Sequence, residues 1–155
     1  MPWPKLWLVL HLFFGFTFVG SLILAEWAGG AARRATEWRD RALLYGILAR
    51  AALWAGLVPL ILLGIFGNLV ASSTGLSMGS PWMRMVNVVW LFALIVMVAV
   101  SLPSIARLER VSRAAAGGGA AEGYDGALRS WRLGNVTQTI LYVVALVLMV
   151  SGARL

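Results

Sequence analysis

The sequence predicts an all-α membrane protein: a bundle of four transmembrane helices with both termini on the outer side. Three observations predict it. Of 155 residues, 61% are hydrophobic and only 12% charged, with a mean hydropathy of +0.85. A soluble domain is nearer 45–50% apolar and about 25% charged. Uncharged runs long enough to cross a bilayer, about 20 residues each, occur four times, and no aqueous domain fits between them. Ten of the 13 basic residues fall in two of the connecting segments.

Span 1 covers about residues 6–25 and is closed by Glu26. Its positive flank follows the apolar run, and the run is longer than the 7–15 residues of a signal-peptide core. It therefore reads as a retained first helix inserted with its N-terminus outward. Glu26, beside Trp27, reads as an interfacial carboxylate paired with a nearby arginine. The next loop carries Arg33, Arg34, Arg39, Arg41 and Arg50. Within it, residues 36–50 hold good helix formers that prolong span 2, with Thr36 as the expected N-cap.

Span 2 covers about 51–70 and contains Pro59. The outer loop 71–81 is polar, uncharged and turn-rich. Span 3 covers about 85–106 and contains Pro103. Each proline is expected to disturb its helix, Pro103 mildly. A flexible cytoplasmic loop is expected over 114–128, with three consecutive glycines. Around it lie Arg107, Arg110, Arg113, Arg129 and Arg132. Span 4 covers about 133–153.

Arginine in short loops marks the cytoplasmic side. Only Lys5, Arg84 and Arg154 lie on the other side. The pI of 11.3 thus reports topology, not nucleic-acid binding. Arg33, Arg34, Arg39, Arg41, Arg107, Arg110 and Arg113 are also placed to meet anionic lipid headgroups or an acidic partner, at about 1 kcal/mol each for a lipid surface. Trp3, Trp7, Trp27, Trp82 and Trp131 fall near span ends, in the headgroup zone.

Helices in lipid associate through small residues and hydrogen bonds. The expected packing stripes are Thr17, Ser21 and Ala25 in span 1, and Gly56, Gly64 and Gly67 in span 2. Asn68, Asn87 and Gln138 are the amides inside spans and are expected to bond across helices.

Cysteine is absent and His11 is the sole histidine. Disulfides, thiolate zinc sites, iron–sulfur clusters and c-type haem attachment are excluded from this chain alone. His11 lies about five residues inside span 1, roughly 7 Å from the midplane. An intramembrane histidine is a candidate ligand for copper, haem or a pigment. Met78, Met83 and Met85 lie on the same side, and thioether with imidazole suits Cu(I). No charge lies mid-span, so a proton pump, ion-coupled transporter or voltage sensor is disfavoured. No catalytic triad, phosphate loop or nucleotide fingerprint is present.

The opening WLVLHLFFGFTFVGSLIL resembles the first span of small four-helix bacterial membrane proteins related to the copper-resistance D membrane protein group. The segments LPSIARLERV and RSWRLGNVTQTILYVVALVLMV are similar to it in layout. The resemblance carries His11 over as the matching histidine and implies a bacterial inner membrane and copper handling. In the related haem-associated oxidase group it implies a haem ligand. Without a second histidine, haem would need a methionine, a water or a partner chain as its other ligand.

The expected function is non-enzymatic: an accessory or scaffold subunit of a larger membrane assembly, or a homo-oligomer, embedded in the lipid bilayer. Two other readings stay open. One is a copper- or haem/pigment-binding protein using His11. The other is a lipid- or quinone-handling membrane protein, which requires a cavity with polar groups. Asn68, Asn87 and Gln138 each facing a separate neighbour would count against it.

Overall fold

The computed structural model describes residues 3–152. Ala153 of the expected fourth span and Arg154 lie outside them. Four helices result: α1 Trp3–Arg34, α2 Trp38–Ser73, α3 Pro81–Ala116 and α4 Tyr124–Gly152. Each is long and apolar enough to cross a membrane. In lipid every backbone N–H and C=O must be satisfied within the segment, and a helix does this. Successive helices run antiparallel, so the two arginine-bearing loops share one end of the bundle.

The helices outrun the bilayer. At 1.5 Å per residue, the 36 residues of α2 or α3 extend about 54 Å, against about 30 Å of hydrocarbon. The surplus lies at the arginine end, where the expected spans continue as helix. Arg33 and Arg34 occupy the last turn of α1, where positive charge favours the helix dipole. The turn into α2 differs from the expected Thr36 cap: Glu37 takes the N-cap position, without a side-chain cap bond. Arg41 instead ties down this turn, donating through Nε to the Ala35 carbonyl at 2.9 Å. The non-helical stretch between α3 and α4 is 117–123, shorter than the expected loop. Ala114–Ala116 continue α3, and Tyr124 opens α4. Gly118 and Gly123 supply the positive φ this turn needs.

Two apolar cores stack along the bundle. The arginine-end core joins Ala28 and Ala32 of α1, Tyr45 and Leu48 of α2, Leu108 of α3, and Tyr124 and Trp131 of α4. Trp131 is 1% exposed. It lies inside this core and not in a headgroup belt, because Gly29 of α1 leaves the space its ring fills. The Tyr45 and Tyr124 hydroxyls share a buried hydrogen bond of 2.9 Å. The second core holds Phe18 and Leu22 of α1, Leu60 of α2, and Ala93 and Met97 of α3. Beyond it, Trp7 and Phe14 of α1 both stack on Phe66 of α2.

Between the cores, α2 and α3 both change their winding. Residues Ala52–Leu57 of α2 and Met97–Ser101 of α3 form π-helical turns, each ending just before a proline, Pro59 or Pro103. A proline ring clashes with the carbonyl four residues back, and a wider i→i+5 turn relieves that clash. Pro103 thus alters its helix as fully as Pro59 does. The two turns face each other: a Cβ on Gly56 would stand 3.3 Å from the Met97 methyl and 3.6 Å from Ser21 Oγ. On the arginine side of this level, α2 and α3 pack along each other. On the far side their backbones draw apart.

Candidate functional site

Where α2 and α3 separate, all four helices line a partly open cavity of about 350 Å³. Its wall is overwhelmingly apolar. The polar side chains on it are His11, Asn68, Trp82, Asn87, Trp90, Gln138 and Tyr142.

Two of them are placed by the same local device. Trp90 of α3 lies on Gly64 of α2, where a Cβ would sit 2.1 Å from the indole. Its Nε1–H donates to the Leu60 carbonyl at 2.8 Å. His11 of α1 lies on Gly67, where a Cβ would come within 2.9 Å of the imidazole. Nδ1 of His11 bonds the Leu63 carbonyl at 2.9 Å. In each case the acceptor is the carbonyl four residues before the glycine. In a regular helix that carbonyl already bonds the glycine's own N–H. A missing side chain exposes it to a second donor from a neighbouring helix.

The amides are also anchored. Asn68 and Asn87 bond reciprocally across α2 and α3, at 3.0 and 3.2 Å, and Asn68 Nδ2 also donates to the Gly64 carbonyl at 2.9 Å. Gln138 Nε2 donates to the Ala93 carbonyl at 2.7 Å, which joins α4 to α3. Gln138 Oε1 is buried and has no partner among the described residues. Asn68, Asn87 and Gln138 therefore share one cavity wall.

The methionines divide. Met83 is buried and lines the cavity with His11. Met78, in the α2–α3 loop, and Met85, on α3, are exposed and do not line it. Among the described residues no group of three His, Cys, Asp or Glu side chains is placed to hold a metal.

Trp82, expected in the headgroup zone, also lines the cavity, whereas the packing residues of α1, Glu26 and the arginines lie outside it. Ser21 and Ala25 are buried towards the bundle axis and Thr17 is half-buried. Ser21 and Thr17 return their hydroxyls to carbonyls of α1. Glu26 accepts a hydrogen bond from Asn135 of α4, not from an arginine. At the arginine end, Arg33, Arg34, Arg39, Arg107 and Arg110 are exposed. Arg113 pairs with Glu109 at 2.6 Å. Arg41 stacks over Trp38, 4.5 Å from its ring centroid, and reaches Tyr124 at 5.7 Å.

Sequence reasoning passed over Trp90 and Tyr142 as site residues. Trp90 carried a signal, being an indole placed mid-span, where its N–H needs an internal partner. Tyr142 carried the same signal with a hydroxyl.

No protein-family model matches this chain, no curated protein matches it, and no solved structure matches it.

Proposed function

We propose that this protein binds an apolar small molecule with a polar head, of the lipid or quinone class, inside the membrane. The observation that carries the reading is the cavity of about 350 Å³ with its few placed polar groups. Ligand sites run from about 300 to 1,000 Å³, mostly apolar, with a small number of polar groups that fix orientation. A purely packing role does not require such a space, because interiors are otherwise close-packed. The apolar outer faces of the helices do not separate a scaffold from a solitary chain, since lipid tails and partner helices offer them the same surface.

In this reading the arginine end faces the cytoplasm, following the bias of basic residues, and the resemblance of the first span implies a bacterial cytoplasmic membrane. The cavity then lies in the outer half of the bilayer. The test is mass spectrometry of organic extracts from protein purified in mild detergent. A stoichiometric apolar molecule is expected, and Ala145→Phe, which fills the lining, is expected to lose it. Extracts holding only bulk lipid in bulk proportions, alike for both proteins, sink the reading.

A second reading, Cu(I) or haem binding, is favoured by one observation: His11 and Met83 line the same cavity. An imidazole and a thioether would hold Cu(I), and haem would take His11 as one axial ligand. Metal analysis and an absorption spectrum of the pure protein decide it. A colourless, metal-free protein unchanged by added Cu(I) or haem removes it.

A further inference from the structure

We infer that the molecule held in this cavity carries a hydroxyl group that donates a hydrogen bond to Nε2 of His11. The inference rests on the binding role proposed above and names the chemical class of the ligand.

Hydrogen-bond accounting on the cavity wall supports it. A carbonyl only accepts, so the bond from His11 to the Leu63 carbonyl places the ring proton on Nδ1. In that tautomer of the neutral imidazole, Nε2 is an acceptor and nothing else. Nε2 makes no hydrogen bond among the described residues, while Nδ1 is held at 2.9 Å.

About half of the donors on the wall are committed to protein acceptors. The Trp90 indole N–H goes to Leu60. Both N–H groups of Asn68 are used, on Gly64 and on Asn87. Gln138 donates one N–H to Ala93, and its Oε1 is a second acceptor on the wall without a partner among the described residues. One N–H each of Asn87 and Gln138, the Trp82 indole N–H and the Tyr142 hydroxyl make no hydrogen bond among the described residues and remain for the ligand's oxygen.

These leftovers match a hydroxyl, which both donates and accepts. A ketone, ester or ether only accepts and leaves His11 unpaired. An ammonium donates but brings a charge into an apolar wall, at a large desolvation cost. An apolar body ending in an alcohol or phenol is the class that fits. Lipid alcohols and hydroquinones share this chemistry.

Because His11 is the sole histidine, selective ¹⁵N-histidine labelling gives a single-site spectrum of the whole protein in lipid nanodiscs. Four probes separate the possibilities: nonylphenol and its methyl ether, and dodecanol and its methyl ether. In the unliganded protein, Nε2 is expected at the unprotonated position. A hydroxyl probe moves it upfield, and the matching ether leaves it in place and binds about tenfold more weakly, the worth of one hydrogen bond. The arm that responds, phenol or alcohol, tells the two sources apart. His11→Phe is expected to bind ether and hydroxyl probes alike.

Ethers that bind as well as their hydroxyl partners overturn the inference and leave the binding role standing. So does an Nε2 that is already protonated, or one that responds only to Cu(I). If none of the four probes binds, the binding role and the inference fall together.

Discussion

Trp90 lies against the bare backbone of Gly64, and its indole N–H reaches the Leu60 carbonyl at 2.8 Å. With the Asn68–Asn87 pair, this contact bridges α2 and α3 where their backbones diverge. Trp90, Gly64 and Leu60 all line the cavity.

Gly64→Ala tests the bridge. The new Cβ would stand 2.1 Å from the indole, so Trp90 must leave its place. Overpacking of this kind costs about 1–3 kcal/mol. The thermal midpoint in detergent should fall, and the tryptophan emission should shift as the indole moves. Gly20→Ala is the control, because nothing lies within 4 Å of a Cβ there. It should be neutral or slightly stabilising, since alanine is the better helix former.

Gly67→Ala acts on His11 in the same way but more gently, at 2.9 Å from the ring edge. The imidazole should tilt off the Leu63 carbonyl and weaken the bond that fixes its tautomer. In ¹⁵N-histidine spectra the single Nδ1–H signal should broaden or split into two tautomers. A spectrum unchanged from the parent would mean that Gly67 has no part in seating the ring.

Asn68 and Asn87 form a closed pair, so their replacements should not add. Asn68→Leu leaves the Asn87 amide unpaired in an apolar wall, and Asn87→Leu leaves Asn68 with only its Gly64 bond, each at about 1 kcal/mol. The double variant should cost less than the sum. The coupling energy should be about 0.6–1.7 kcal/mol, the range for hydrogen bonds between membrane helices. Additive losses would show that the two amides bond elsewhere in solution.

Trp131→Ala probes the other core. The side chain is 1% exposed and fills the space left by Gly29. Its removal should cost about 3–5 kcal/mol, as for other large aromatic truncations. Trp131 does not line the large cavity. Probe binding measured well below the lowered melting temperature should therefore survive. Loss of binding in a folded variant would mean that the two layers are coupled across the π-helical turns.

Much of the architecture was legible in the chain. Four uncharged runs and their arginine-rich separators specify four apolar helices. Pro59 and Pro103 marked the irregular places. The sequence also exposed His11, Asn68, Asn87 and Gln138, because a polar side chain stands out in an apolar run. Their partners were hidden. His11 bonds a carbonyl 52 residues away, and Trp90 one 30 residues away. Backbone acceptors leave no trace in residue identity. Gly64 and Gly67 read as a stripe for helix contact, and nothing in their spacing says that each seats a ring. Glu26 looked destined for an arginine, since arginines are near it in sequence, but Asn135 is nearer in space.

By itself the sequence determined the helical class, the number of spans and the end that collects arginine. The reason is solvation: in hydrocarbon a chain must satisfy its own backbone, and charge must stay out. Only the tertiary structure decided which faces meet, and with them the cavity. A helix that is apolar on every side carries no periodic mark of its inner face. The choice falls to the fit of particular rings onto particular glycines, and that fit exists only once the helices stand side by side.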